Sequence, residues 1–171
     1  MPTAVGHSFF GYGLYKLSGS SAQKLPLSKK VLLLITLVLP AIPDLDVVTF
    51  RWVPYQHILG HRGFFHSIGF FIPASLLLAG ILHLRLPKPR HLRPSLLCAI
   101  YFFLLLFSHG VLDTFTDGGK GVMLFYPITQ KRYFAPFRPI PVSSIPGFEL
   151  YCAASDRRDC GTGKDSRKKW P

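Results

Sequence analysis

Acidic residues are scarce in this chain: eight among 171 residues, against 20 lysines and arginines. Asp156, Asp159 and Asp165 lie in a polar tail and Glu149 stands just before it, so residues 1–148 hold only Asp44, Asp46, Asp113 and Asp117. A solvated protein spreads its carboxylates about; here they are concentrated in two clusters. Charge of either sign is missing altogether from residues 67–82 and from 95–107, the latter run extending to Leu112 if His109 is tolerated. Each segment is close to the roughly 20 residues a spanning helix needs, whereas residues 31–43 are nearer the length of a re-entrant or partly spanning element. Cysteine is scarce too. Cys98, Cys152 and Cys160 are odd in number and lack the paired spacing of a zinc ribbon or disulfide framework, and Cys98 reads as a small buried apolar residue. Residues 1–6 carry no basic side chain and no apolar core precedes a cleavage site, so no signal peptide is expected and the N-terminus should be retained.

What is present is basic and apolar. A formal net charge of +12 could suit nucleic acid, but position argues otherwise. Lys16, Lys24, Lys29 and Lys30 fall around one short connection, and Arg85, Lys88, Arg90 and Arg93 around the next but one, both free of acid. Lys and Arg concentrated in short loops mark the cytoplasmic side of a membrane protein. The expected partner is therefore the lipid bilayer, with nucleic acid not a primary one. The length suits a single domain. The expected fold is all-α, a small transmembrane bundle of about four helices near residues 9–17, 28–39, 67–84 and 95–113. Residues 1–148 form the membrane domain, and 149–171 are a polar tail expected to be disordered. Pro40 and Pro43 should turn the chain near Ile42, and residues 47–65 read as a polar and aromatic connection at the headgroup level.

His109 and Asp113 are four residues apart, so on a helix they share one face and form a two-ligand clip. A carboxylate at the end of so apolar a helix costs a few kcal/mol, and such residues face a polar interior with a partner. The partner expected is a divalent metal, with zinc favoured by the nitrogen and oxygen donors. Its other ligands should come from His7, from Asp44 and Asp46, and from His61 and His66. Gly63 breaks the helix between the last two, leaving His61 in the loop and His66 in the first turn of the third helix. His57, His83 and His91 read as interfacial histidines. With both basic loops on one side, His7, Asp44, Asp46, His61, His66, His109, Asp113 and Asp117 all fall at the opposite rim, outside the cytoplasm, although Lys120, Lys131, Arg132 and Arg138 also lie there and oppose that orientation.

His66, His109 and Asp113 form the core of the expected site; Asp44, Asp46 and His7 complete it or hold a second metal. Asp117 is either a general base or a group that orients a histidine, and Arg62 would steady a phosphate or carboxylate of a small-molecule or lipid substrate. Two plainer readings stand beside these: Asp44 as a helix cap, and the glycines at 118, 119 and 121 as a turn rather than an anion nest neutralised by Lys120 or Arg132. Functionally, an enzyme competes with an ion or proton transporter and with a non-catalytic, metal-stabilised membrane protein.

His7, Pro43-Asp44-Leu45-Asp46, His61-Arg62-Gly63 with His66-Ser67, His109 with Asp113, Thr116-Asp117-Gly118-Gly119 and Arg138-Pro139-Ile140-Pro141-Val142 together resemble the YdjM/YbcI-like family of bacterial inner-membrane, predicted metal-dependent hydrolases. The resemblance covers roughly residues 1–145; the tail beyond does not look like the family. His-x-x-x-Asp downstream of Asp and His is also similar, more distantly, to the zinc-dependent phospholipase C and P1 nuclease group. What the resemblance implies is a metal-dependent hydrolase in the bacterial inner membrane, acting on a phosphoester or similar group at the membrane surface.

Overall fold

The computed structural model describes residues 4–85 and 92–141. The expected tail with Cys152 and Cys160, Val142, and the loop residues Lys88, Arg90 and His91 lie outside them. The described residues form four helices: α1 (Ala4–Gln23), α2 (Lys29–Val38), α3 (Ile68–Arg85) and α4 (Leu92–Thr114). They contain no strand, only isolated bridges at Thr116–Ile140 and Val122–Tyr133. The all-α expectation holds, and each helix falls on its expected segment, α2 one residue short at each end and α3 shifted by one residue. α1 starts earlier than expected, which puts His7 in its first turn, and it kinks at Gly19. Ser28 caps α2, its hydroxyl accepting the Val31 N–H.

Two expectations are corrected. The chain does not turn near Ile42; it tightens into a 3-10 segment, Leu39–Arg51, that carries both prolines. Pro40 cannot donate to the Thr36 carbonyl, so the α ladder of α2 ends. In 3-10 winding the partner of the Pro40 carbonyl would be the N–H of residue 43, and Pro43 has none. The Pro40 carbonyl is thereby left free for a side chain. The second correction concerns His66. It lies in a separate 3-10 turn, Phe64–His66, and extended Ser67 (ψ 157°) separates it from α3.

α4 is central, packing on α1, on α3 and on both 3-10 segments. Its Cys98, Ala99, Phe102, Leu105 and Leu106 build the core with Leu32, Leu39 and Phe71. Thr36 of α2 and Tyr101 of α4 share a buried 2.7 Å hydrogen bond. α3 instead exposes Ile72, Leu76, Leu77, Ile81 and Leu84. α3 and α4 are long and apolar enough to cross a membrane, and in lipid those side chains carry no penalty. Association there rests on close packing and hydrogen bonds, since lipid tails are as apolar as leucine.

The segment after α4 is an extended cover. Its Leu124 and Tyr126 carbonyls accept the N–H groups of Ile68 and Gly69 at the start of α3, and Ala135 donates to the Thr114 carbonyl at the end of α4. Orphan groups at two helix ends are satisfied this way; the end of α4 carries His109 and Asp113, and the start of α3 follows the 3-10 turn of His66 after Ser67.

Candidate metal centre

Five side chains from four elements converge: His7 from α1, Asp44 from the long 3-10 segment, His66 from the short one, and His109 and Asp113 from α4. His7, His66, His109 and Asp113 are fully buried, and the Asp44 side chain is 12% exposed. The Nε2 atoms of all three imidazoles face both carboxylates. His7 lies 3.7 Å from Asp44 and 3.6 Å from Asp113, His66 lies 3.6 and 3.4 Å away, and His109 lies 3.6 and 3.7 Å away. None of the three Nε2 atoms, nor Asp44 Oδ1, nor either oxygen of Asp113, has a hydrogen-bond partner.

Those separations are too long for hydrogen bonds. They suit donors sharing a cation: bonds of about 2.1 Å in tetrahedral array put neighbouring donors about 3.4 Å apart. Orphaned buried nitrogens and oxygens each cost about 1–3 kcal/mol; Asp44, His66, His109 and Asp113 each bring one such donor close enough to share a metal ion, while His7 faces the other oxygen of each carboxylate. Charge agrees. Of the three carboxylates Asp44, Asp46 and Asp113, only Asp113 has the Arg62 guanidinium against it, so a divalent ion would offset negative charge that the neighbouring side chains leave.

A surrounding ring holds the imidazoles. His109 Nδ1 donates to the Pro40 carbonyl at 2.7 Å, the acceptor freed by the proline spacing. His66 Nδ1 lies 3.2 Å from Asp46 Oδ2. The other Asp46 oxygen is 2.6 Å from His61 Nδ1, and Oδ2 also accepts the Arg62 backbone N–H at 3.3 Å. The His7 and His109 rings stack at 3.9 Å. Burial would push the Asp46 carboxyl up, but hydrogen bonds from His61 and His66 outweigh it and hold Asp46 well below the usual carboxylate range. Burial would likewise depress His66, yet Asp44, Asp46 and Asp113 around it raise it to about 9. For His61 burial wins, and its imidazole is pushed down.

Arg62 is 1% exposed and has φ 59°, in the left-handed region, a conformation costing about 1–3 kcal/mol that the surroundings must enforce. Its Nη1 donates to Thr116 Oγ1 and to the Gly118 carbonyl, both at 2.9 Å. Its Nε lies 3.3 Å from Asp113 Oδ2, and Nη2 has no hydrogen-bond partner. In a planar guanidinium Nε–H and Nη2 form one side of the fork, so Nη2 points the same way as the ion-pair contact toward Asp113, in which Nε also lacks a formed hydrogen bond.

Asp117 is not brought among the buried carboxylates; it is exposed on the turn after α4, its N–H donating to Ile140. Around the glycines, residues 117–120 bend, with Gly119 at φ 83° and Gly121 at φ 80°. Arg132, expected as a possible anion partner, spends its guanidinium on the carbonyls of Tyr55, His61, Arg62 and Gly121 and lies over the Tyr55 ring. The cap reading of Asp44 gives way to a carboxylate turned toward imidazoles. His57 is exposed, as an interfacial residue should be, and His83 Nδ1 pairs with Ser95 at 2.7 Å. Residue types alone missed the Pro40 carbonyl and Thr116. Two prolines three apart were the available signal for the first; nothing local marks the second.

The family model described as YdjM inner membrane protein matches residues 1–170, the tail included. Inner membrane protein YbcI of Escherichia coli (strain K12) is 38% identical over 114 residues, covering 66% of this chain and 62% of YbcI. The chain thus spans less than two thirds of that relative's length. No solved structure matches. A match reaching to the penultimate residue corrects the expectation that the tail departs from the pattern, and with it the chain belongs to the YdjM family of inner membrane proteins.

Proposed function

We propose that this protein is a multi-pass, membrane-embedded, metal-dependent hydrolase acting on a phosphoester or similar anionic group at the membrane surface, with its site on the extracytoplasmic side. One observation carries the reading: three Nε2 atoms and two carboxylates face one another at 3.4–3.7 Å without hydrogen bonds. His7, Asp44, His66, His109 and Asp113 would hold the ion, and the nitrogen and oxygen donors favour zinc. A bound divalent ion acts as a Lewis acid and lowers the pKa of a coordinated water to about 7. The protein's own groups do the rest. Arg62 anchors Asp113 through Nε and offers Nη2 to an anionic oxygen of the substrate. Asp44 is the partly open edge of an otherwise closed cluster, so substrate and water arrive there. A pathway for ions would place acidic, basic or histidine side chains through the membrane depth, whereas residues 68–82 and 95–108 have none of these, which favours catalysis over conduction.

The test is elemental analysis of protein purified in detergent, followed by hydrolysis of phosphomonoester, phosphodiester and phospholipid substrates with and without a chelator. Bound metal and chelator-sensitive turnover are expected. Folded protein that carries no metal and takes none up would remove the reading.

A further inference from the structure

We infer that the centre holds a single cation, and that Asp46 and His61 are positioning residues that aim His66 at it rather than ligands of a second ion. This rests on the metal-site reading above. Asp46, His61 and His66 also converge closely enough to suggest a second site, and the distances decide between the two. Donors of one metal ion stand about 3 Å or more apart, since bonds of about 2.1 Å at right angles already separate them that far. His61 Nδ1 and Asp46 Oδ1 are 2.6 Å apart. That is a hydrogen bond with a proton in it, where an ion would need both lone pairs.

The two ends of His66 tell the same story. Nε2 takes the 3.4 and 3.6 Å spacing of the main cluster, while Nδ1 is turned to Asp46 at 3.2 Å. His109 is held likewise, its Nδ1 donating to Pro40 and its Nε2 facing the carboxylates. An acceptor on Nδ1 fixes the tautomer, fixes the ring and leaves the Nε2 lone pair for the metal. For His109 the acceptor is a carbonyl in a 2.7 Å hydrogen bond; for His66 the Asp46 carboxylate, itself held by His61, faces Nδ1 at 3.2 Å as an ion-pair contact rather than a formed hydrogen bond. Asp46 does a second job. It accepts the backbone N–H of Arg62, the residue at φ 59° whose side chain grips Asp113. One carboxylate therefore aims His66 directly and Asp113 through Arg62.

The experiment is titration of the metal-free full chain in detergent with Zn²⁺ and, for its visible spectrum, Co²⁺. Wild type should take up one ion per chain. Asp46→Asn and His61→Gln should each still saturate at one ion, with the dissociation constant raised about 10–100-fold and the Co²⁺ absorption bands shifted. The metal-free His61→Gln protein should melt close to wild type, which separates aiming from folding if Asp46→Asn proves unstable. Two ions on wild type, or loss of one of two in His61→Gln, overturns the inference while leaving a metal protein. Unchanged affinity and spectrum in His61→Gln overturns it as well. Wild type that binds no ion at all fails the underlying site and the inference together.

Discussion

Replacing Asp113 by Asn keeps the shape of the side chain and removes its charge, which separates two roles the structure gives it. Asp113 is fully buried, and its Oδ2 is 3.3 Å from Nε of Arg62, itself 1% exposed. Removing one partner of a buried ion pair strands the other charge, at about 3–5 kcal/mol. Relief of repulsion from Asp44 acts the other way. It is the smaller effect, because the Asp44 side chain is 12% exposed and solvent screens it. For a chain of this size each kcal/mol moves the midpoint by about 2–4 °C, so metal-free Asp113→Asn should melt about 6–20 °C below metal-free wild type. The double variant Arg62→Met/Asp113→Asn leaves no stranded charge and should recover most of that loss. Neither variant should hold metal at wild-type affinity, since an amide is a poor substitute for a carboxylate facing three imidazoles. The assays are thermal melting in detergent without metal and elemental analysis after reloading. A single variant that melts within about 2 °C of wild type, or a double variant that melts no higher than the single, would refute the pairing. Wild-type metal content in Asp113→Asn would refute its place in the site.

Metal affinity should depend on pH through His66. Its imidazole is raised to about 9 in the metal-free protein, so below that pH the ion must displace a proton, and affinity falls as pH falls. The expected slope is about tenfold per pH unit between about pH 7 and 9, levelling above; competition with a chelating dye measures it, and a flat profile would contradict the assignment. Gly11 should tolerate no side chain. A Cβ there would sit 2.5 Å from the Thr36 carbonyl oxygen and 2.8 Å from Pro40 Cγ, so Gly11→Ala must move α1, at about 1–3 kcal/mol. Because His7 lies one turn earlier on the same face, metal affinity should drop too. Gly13→Ala, with open space around its Cβ, is the matched control and should melt at or slightly above wild type.

Much of this architecture was legible in the residues. The uncharged runs located α3 and α4, and the His109–Asp113 spacing located the clip, because both depend only on helical periodicity. His7 was a weak signal alone, since one histidine in an apolar stretch is usually bland; its place followed from counting helices back to the same rim. The long 3-10 segment was not legible, because proline announces that an α ladder stops without saying what replaces it. The roles of Asp46 and His61 were hidden for a different reason. Histidine and aspartate serve equally as ligands and as holders of ligands, and only a distance, 2.6 Å against 3.4–3.7 Å, tells the two apart. Arg132 belongs to the same class, a cation whose use depends on which carbonyls the loops present.

The scarcity of acid and the geometry of the site have one physical cause. A carboxylate near the end of a membrane helix is stable only if paired, and the pair must outweigh its desolvation. This chain has Arg62 for one such pairing, with Asp113, yet it also buries Asp46 and nearly buries Asp44 among the imidazoles. Protonating His66 relieves part of the imbalance in the metal-free state, and a divalent ion relieves all of it while occupying the Nε2 lone pairs that are otherwise orphaned. Scattered carboxylates elsewhere in residues 1–148 would each need a counter-charge of their own; gathered at one rim, they could share one ion, with Arg62 beside Asp113.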